Sequence, residues 1–196
     1  MLHLVSLVAA LSVGFCTAFV YSATWLGQVA HVPARTAFSV NTMAMGLSFG
    51  VTLLAGWVSD RIGRRRVLSV TAGALLLLAY PLMALMTRGD LPGILTGELG
   101  LAILVAANGG VIAATMAELA PWRVRSTVLS IAYNVTLALF GGTTPLIATW
   151  LISRTGVPLA PAIYLAGAAA LTFVGALLLP KIVRHSVTNE FQVARA

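Results

Sequence analysis

The segment Gly56-Trp57-Val58-Ser59-Asp60-Arg61-Ile62-Gly63-Arg64-Arg65-Arg66 gathers one carboxylate and four guanidinium groups around a glycine turn. Such a set can hold two helix ends together through charge-assisted hydrogen bonds and release them when the helices move. Reading the arginines as a topology signal accounts for their charge, but not for the spacing of Gly56, Asp60 and Gly63. A second meeting of opposite charges lies downstream, in Glu118-Leu119-Ala120-Pro121-Trp122-Arg123-Val124-Arg125. Glu98 differs from both, because it is the acidic residue plainly inside an apolar stretch. An ionisable group in such a place is a functional candidate, here as a proton carrier. It sits about five residues from the start of its stretch, roughly 7 to 8 Å along a helix, so the rival reading is a carboxylate that reaches the outer interface.

Polar stripes supply the remaining candidates, since a polar line on an apolar helix must face water or another helix. Tyr21, Thr24, Trp25 and Gln28 form one at spacings of three and four. Asn41, Met45, Ser48 and Thr52 form a weaker one. Asn108 and Asn134 lie deep in apolar stretches, where an unpaired amide is expensive. Tyr21, Thr24, Trp25, Gln28, Asn41, Asn108 and Asn134 are therefore the substrate-facing candidates, against the simpler account of hydrogen bonds between helices or, for the two rings, an interfacial aromatic belt. No catalytic set emerges. His3, His31 and His185 do not pair at metal-ligand spacing, and no glycine-rich phosphate loop with a lysine is present, so neither a metal nor a cofactor is expected. The single cysteine, Cys16, sits among apolar neighbours and reads as a small buried side chain.

The elements that carry these residues follow from composition. Of 196 residues, 59% are hydrophobic and 9% charged, against about 25% charged in soluble domains; an ordinary soluble globule or enzyme and a disordered chain are both excluded. The lipid bilayer is the implied solvent. The net charge of +7 falls in short breaks rather than along one face, so it predicts a cytoplasmic membrane surface and no nucleic acid. The first thirty residues hold no Lys or Arg and run apolar for too long to be a secretion signal.

A helix needs about 20 apolar residues to span the hydrocarbon, and six stretches qualify: 3–29, 36–58, 67–87, 93–117, 126–152 and 161–180. The breaks carry helix-ending chemistry such as Asp60-Arg61-Ile62-Gly63 and Arg88-Gly89-Asp90-Leu91-Pro92. The expected organisation is an all-α membrane protein, with residues 1–180 forming a six-helix bundle and 181–196 a cytoplasmic tail. Arg61, Arg64, Arg65, Arg66, Arg123, Arg125, Lys181, Arg184 and Arg195 fall on one side of such a bundle and only Arg35, Arg88 and Arg154 on the other, which predicts both termini in the cytoplasm. Gly46-xxx-Gly50 and Gly93-xxx-Gly97 are candidate close-packing faces. Gly141-Gly142-Thr143-Thr144-Pro145 predicts a bend or break near the middle of the fifth stretch.

The spacing from Gly56 to Arg65 resembles the G-x-x-x-D-[RK]-x-G-[RK]-[RK] signature of the major facilitator superfamily of secondary transporters, found between the second and third helices of each six-helix half. Glu118 to Arg125 is similar to the E-x6-R signature that follows the fourth helix of a half. The stretch from Ser126 through Tyr133-Asn134 to Leu151 resembles the eleventh helix of the metabolite:proton symporter branch, which carries dicarboxylates, citrate, shikimate and betaine-type osmolytes. The resemblance implies six transmembrane helices built as two inverted three-helix repeats, the carboxy-terminal half of a major facilitator fold in a bacterial inner (plasma) membrane. It implies a gating role for Gly56, Asp60, Arg61, Gly63, Arg64, Arg65, Glu118 and Arg125. The partners it implies are a small polar or anionic metabolite, protons, and an amino-terminal six-helix half or a second copy. The alternative is a transport-inactive product or an assembly partner of another membrane subunit.

Overall fold

A computed structural model describes residues 2–119 and 125–193, with the side chains of 1–3, 120–125, 128 and 180–196 excepted. Six helices in it are long and apolar enough to cross a membrane: helix one (Leu4–Val29), two (Ala34–Ile62), three (Arg64–Met86), four (Leu91–Leu119), five (Leu129–Thr155) and six (Ala160–Leu179). They fall where the uncharged stretches predict. No strand occurs among the described residues. Helix six continues as helical backbone to Val193, so helix runs on past residue 180, where a tail is expected to begin.

Only one residue separates helices two and three. Gly63 has φ 103°, a conformation open to glycine and strained for side chains with a Cβ. Its N–H donates to the Ser59 carbonyl at 3.0 Å, and its own carbonyl accepts from the amides of Arg66 and Val67 at 3.1 and 3.3 Å. One glycine thus ends the first helix and starts the next, leaving Asp60 and Arg64 a single turn apart across the corner.

Helix four is central and packs along helices two, three and one; helix six packs along three and one, and helix five along one and six. Exchanging one with four, two with five and three with six maps most of the main contacts onto one another, although helices one and two touch far more extensively than four and five. The one–six contact becomes four–three, one–five becomes four–two, two–three becomes five–six, and one–four and three–six are unchanged. That is the pattern expected of two three-helix repeats.

Glycine decides how closely the helices approach. A Cβ on Gly97 would lie 2.3 Å from Met86 Cγ and 2.6 Å from the Leu82 carbonyl, and one on Gly110 would lie 2.3 Å from the Thr52 carbonyl. Gly93-xxx-Gly97 is therefore a contact within the bundle, between helices three and four, whereas Gly46 and Gly50 face open space. Helices two and five show large apolar side chains outward, among them Phe38, Phe49, Leu53, Leu139, Leu146 and Trp150, as lipid or another apolar wall requires.

Two helices contain wide π turns, Cys16–Tyr21 in helix one and Leu137–Gly141 in helix five. The second lies at the glycine pair, and the helix resumes at Thr144 with Pro145 in its first turn, so the predicted break is present. The first has neither glycine nor proline within it. The two turns touch: a Cβ on Gly141 would lie 3.3 Å from Cys16 Sγ and 3.4 Å from the Ser12 carbonyl.

Candidate functional site

At one end of the bundle the Gly63 corner presents Arg64 to both neighbouring acids. Arg64 Nε lies 2.7 Å from Glu118 Oε1, and Nη2 lies 3.1 Å from Asp60 Oδ1. One side chain thereby joins the helix two–three corner to the end of helix four, the two segments whose charges stand out in the sequence. Arg65 Nη2 donates to the Leu177 carbonyl of helix six at 3.2 Å, and the Arg61 guanidinium stacks 4.0 Å from the centre of the Trp57 ring. Gly56 lies against the Gly110 carbonyl, 3.6 Å from the position of a Cβ, and so belongs to the close crossing of helices two and four. Arg125 opens the helical backbone that leads into helix five, and its side chain lies outside the described residues.

The electrostatics of this end are those of a surface. Asp60 and Glu118 are 62% and 59% exposed, and Arg64 is 24% exposed. Exposed pairs of this kind contribute roughly 0.2 to 1 kcal/mol each. They can orient the helix ends, and they break readily.

Towards the other end of helix four a carboxyl group is closed off from solvent. Glu98 is 1% exposed, so it faces inward between helices and does not reach outward to an interface. Its Oε1 lies 2.8 Å from Ser22 Oγ of helix one. Ser22 Oγ also lies 2.7 Å from the Ala18 carbonyl in the π turn. From helix two, the Asn41 amide donates to the Phe19 carbonyl at 2.9 Å and lies 3.5 Å from Ser22 Oγ. Glu98 Oε2, Asn41 Oδ1 and the Tyr21 hydroxyl are buried without hydrogen-bond partners. Three helices thus meet at one carboxyl group that has no cation beside it; the ion pairs among the described residues both belong to Arg64.

The substrate-facing candidates do not form one surface. Tyr21 and Trp25 are buried, with Trp25 Nε1 donating to the Pro158 carbonyl at 3.0 Å, while Thr24 and Gln28 are exposed. At 100° per residue the four occupy an arc of about 100°, and the edge of the bundle runs along it. Asn41 and Asn108 are buried; the latter donates to Thr71 Oγ1 of helix three at 3.2 Å. Asn134 is exposed and bonds back to the Ser130 carbonyl of its own helix at 2.8 Å. Sequence reasoning missed Ser22. A buried carboxyl needs a polar neighbour, which points to some hydroxyl on a facing helix, but only packing selects this one.

Comparison with known proteins places the chain in a family. The sugar (and other) transporter family matches residues 1–190. A Staphylococcus aureus protein named as a proline/betaine transporter is 31% identical over 153 residues, 78% of this chain and 33% of the relative. An ectoine/proline transporter of Corynebacterium glutamicum is 31% identical over 136 residues, 69% of this chain and 27% of the relative. A citrate-proton symporter of Salmonella typhi is 33% identical over 165 residues, 83% of this chain and 38% of the relative. The chain thus spans about a third of the length of the curated relatives it matches. No solved structure matches it.

Proposed function

Because this chain belongs to the sugar (and other) transporter family of the major facilitator superfamily, a family of membrane carriers rather than enzymes, we propose that it forms one half of a secondary active transporter. The half moves a small polar or anionic metabolite together with protons by alternating access. The observation that carries this reading is the Arg64 bridge, since one half-buried arginine ties exposed Asp60 at the helix two–three corner to exposed Glu118 at the end of helix four in bonds weak enough to open and close in each cycle. Asp60, Arg61, Arg64, Arg65, Glu118 and Arg125 act in this gate, with Gly63 supplying the corner and Gly56 the close helix crossing.

Alternating access places the substrate near the membrane midplane between two bundles, and one bundle supplies one wall. The second wall is an amino-terminal six-helix half, or a second copy. Thr24, Gln28 and Asn134, exposed on helices one and five, are the candidates for that wall, while Tyr21, Trp25, Asn41 and Asn108 shape it from behind. Glu98 is the candidate carrier of the coupling proton, as the acid buried inside a span. The nine-to-three division of cations supports an orientation with the Arg61–Arg66 corner and both termini in the cytoplasm, with residues 181–196 as a tail. Reporter fusions at Asp90 and at Ala196 check it, and a cytoplasmic signal at Asp90 with an external one at Ala196 reverses it.

The test of function is uptake into liposomes under a proton gradient, with a panel of betaines, proline and organic acids. The chain alone gives no saturable uptake, and co-expression with a six-helix amino half restores it. Saturable, gradient-dependent uptake by the chain alone overturns the half-carrier reading. Its failure with every amino half supplied favours a transport-inactive assembly partner.

A further inference from the structure

Ser22 has one hydroxyl hydrogen and two acceptors within reach, the Ala18 carbonyl at 2.7 Å and Glu98 Oε1 at 2.8 Å. An ionised carboxylate offers only lone pairs. If Glu98 is ionised, the hydrogen serves one acceptor and leaves a buried oxygen facing an oxygen at the other, with no hydrogen between them. If Glu98 is neutral, its own O–H donates to Ser22 Oγ, and the Ser22 hydroxyl donates onward to Ala18. Both contacts are then satisfied at once. The Asn41 amide has two hydrogens, one donated to the Phe19 carbonyl at 2.9 Å and the other directed at Ser22 Oγ at 3.5 Å; it does not change this count, because it donates to Ser22 and places no hydrogen between Ser22 and either Glu98 or Ala18.

We propose that Ser22 is the positioning residue that converts the protonation state of Glu98 into the shape of the wide turn in helix one. The observed arrangement of these groups is the proton-loaded one, with the chain Glu98 O–H to Ser22 O–H to the Ala18 carbonyl complete. Loss of the proton breaks one of the two Ser22 contacts. Ala18 lies within the turn Cys16–Tyr21, whose Cys16 abuts Gly141 in the wide turn of helix five. A change in Ser22 is therefore passed to a pair of touching turns in which neither helix keeps regular geometry, a feature that recurs at functional sites.

No neighbouring charge substitutes for the proton. Of the titratable and charged groups on helices packed against helix four, Tyr21 and Cys16 of helix one carry no charge as phenol and thiol, and Arg35 of helix two and Arg88 beyond helix three are exposed. Arg154 of helix five is exposed beside Trp150, Tyr133 of the same helix is exposed, and Tyr164 of helix six donates to the Phe140 carbonyl. None forms an ion pair with Glu98.

This deepens the proton-coupled reading and rests on it, but it can be tested without transport. The purified full chain in lipid nanodiscs is titrated while the infrared C=O stretch of protonated carboxyl groups is followed. A band lost in Glu98→Gln belongs to Glu98; it moves in frequency in Ser22→Ala and stays in place in Ser22→Thr, which keeps the hydroxyl. In parallel, alkylation of Cys16, the chain's single cysteine, reports on the turn. The ratio of the wild-type rate to that of Glu98→Gln at each pH cancels the thiol's own ionisation. That ratio changes several-fold across the Glu98 titration and is flat when both rates are taken in the Ser22→Ala background. Absence of any Glu98 band, a band unmoved by Ser22→Ala, or an equal Cys16 response with and without Ser22 overturns the proposal. So does displacement of the band by sodium at fixed pH, which assigns the site to a metal ion. Circular dichroism and elution profiles of the Ser22→Thr and Glu98→Gln proteins confirm that the variants fold. None of these outcomes bears on whether the chain transports, so failure here and failure of the uptake test remain distinct.

Discussion

Glu98 and Glu118 lie on the same helix, about 30 Å apart along its axis, and their surroundings are opposite. Glu118, itself exposed, shares a half-buried arginine with Asp60 between the end of helix four and the helix two–three corner; Glu98 is buried against a serine hydroxyl with no cation beside it. In water an ion pair gains little and is lost cheaply. Away from water a charge without a partner costs several kcal/mol. In the proposed carrier one acid would work by exchanging salt bridges, and the other by holding or releasing a proton. The same residue type is thus proposed as a latch at one end and a sensor at the other, because one is exposed and the other buried.

The variants that break this contrast range from loss of function to small shifts in rate. With an amino half supplied, Glu98→Gln should reduce proton-driven accumulation to background while substrate counterflow across the membrane persists. Counterflow that falls in step with accumulation would make Glu98 a structural group. Next comes the packing that holds the two ends of helix four in register. Gly97→Leu, which places a side chain where the Met86 and Leu82 atoms already sit, should destabilise the bundle by about 1 to 3 kcal/mol or more, whereas Gly46→Leu, facing open space, should stay within about 0.5 kcal/mol. Reversible unfolding in mixed detergent compares the pair, and equal losses would refute the assignment of helix faces.

At the exposed end the effects fall on rate. Asp60→Asn and Glu118→Gln should each change stability by less than about 1 kcal/mol and leave membrane abundance intact, but slow uptake, because each removes the acid's charge from a bond that Arg64 makes and so weakens it. Since both bonds end on one guanidinium, the two losses should not add in the double variant, and additive slowing would show that the pairs act separately. Raising the salt concentration should weaken this end and leave the Glu98 site unaffected, because screening acts on exposed charges. That difference is the smallest of these effects and the most direct reading of the two dielectrics.

Much of the architecture was legible in advance. The six spans follow from uncharged length, and the corner at Gly63 follows from a glycine between two apolar runs. The break in helix five follows from Gly141, Gly142 and Pro145. The Gly93-xxx-Gly97 and Gly46-xxx-Gly50 pairs look alike in sequence, yet one lies under Met86 and the other against nothing. The stripe of Tyr21, Thr24, Trp25 and Gln28 reads as one face, but the bundle edge divides it. Ser22 and the wide turn at Cys16–Tyr21 carry no local mark, since no proline or glycine lies within that turn.

The division has a physical cause. In a bilayer each span must satisfy its backbone hydrogen bonds within itself, so where helices begin, end and bend is written in neighbouring residues and can be read from them. Which arginine of the Arg61–Arg66 cluster meets Glu118 depends on how helix four lies against helices two and three. So does the selection of one serine on helix one to receive the Glu98 carboxyl. Those contacts join residues 54 and 76 positions apart, and they arise from small-residue crossings such as Gly110 on Thr52, where the depth of one groove sets the partner of every polar atom above it.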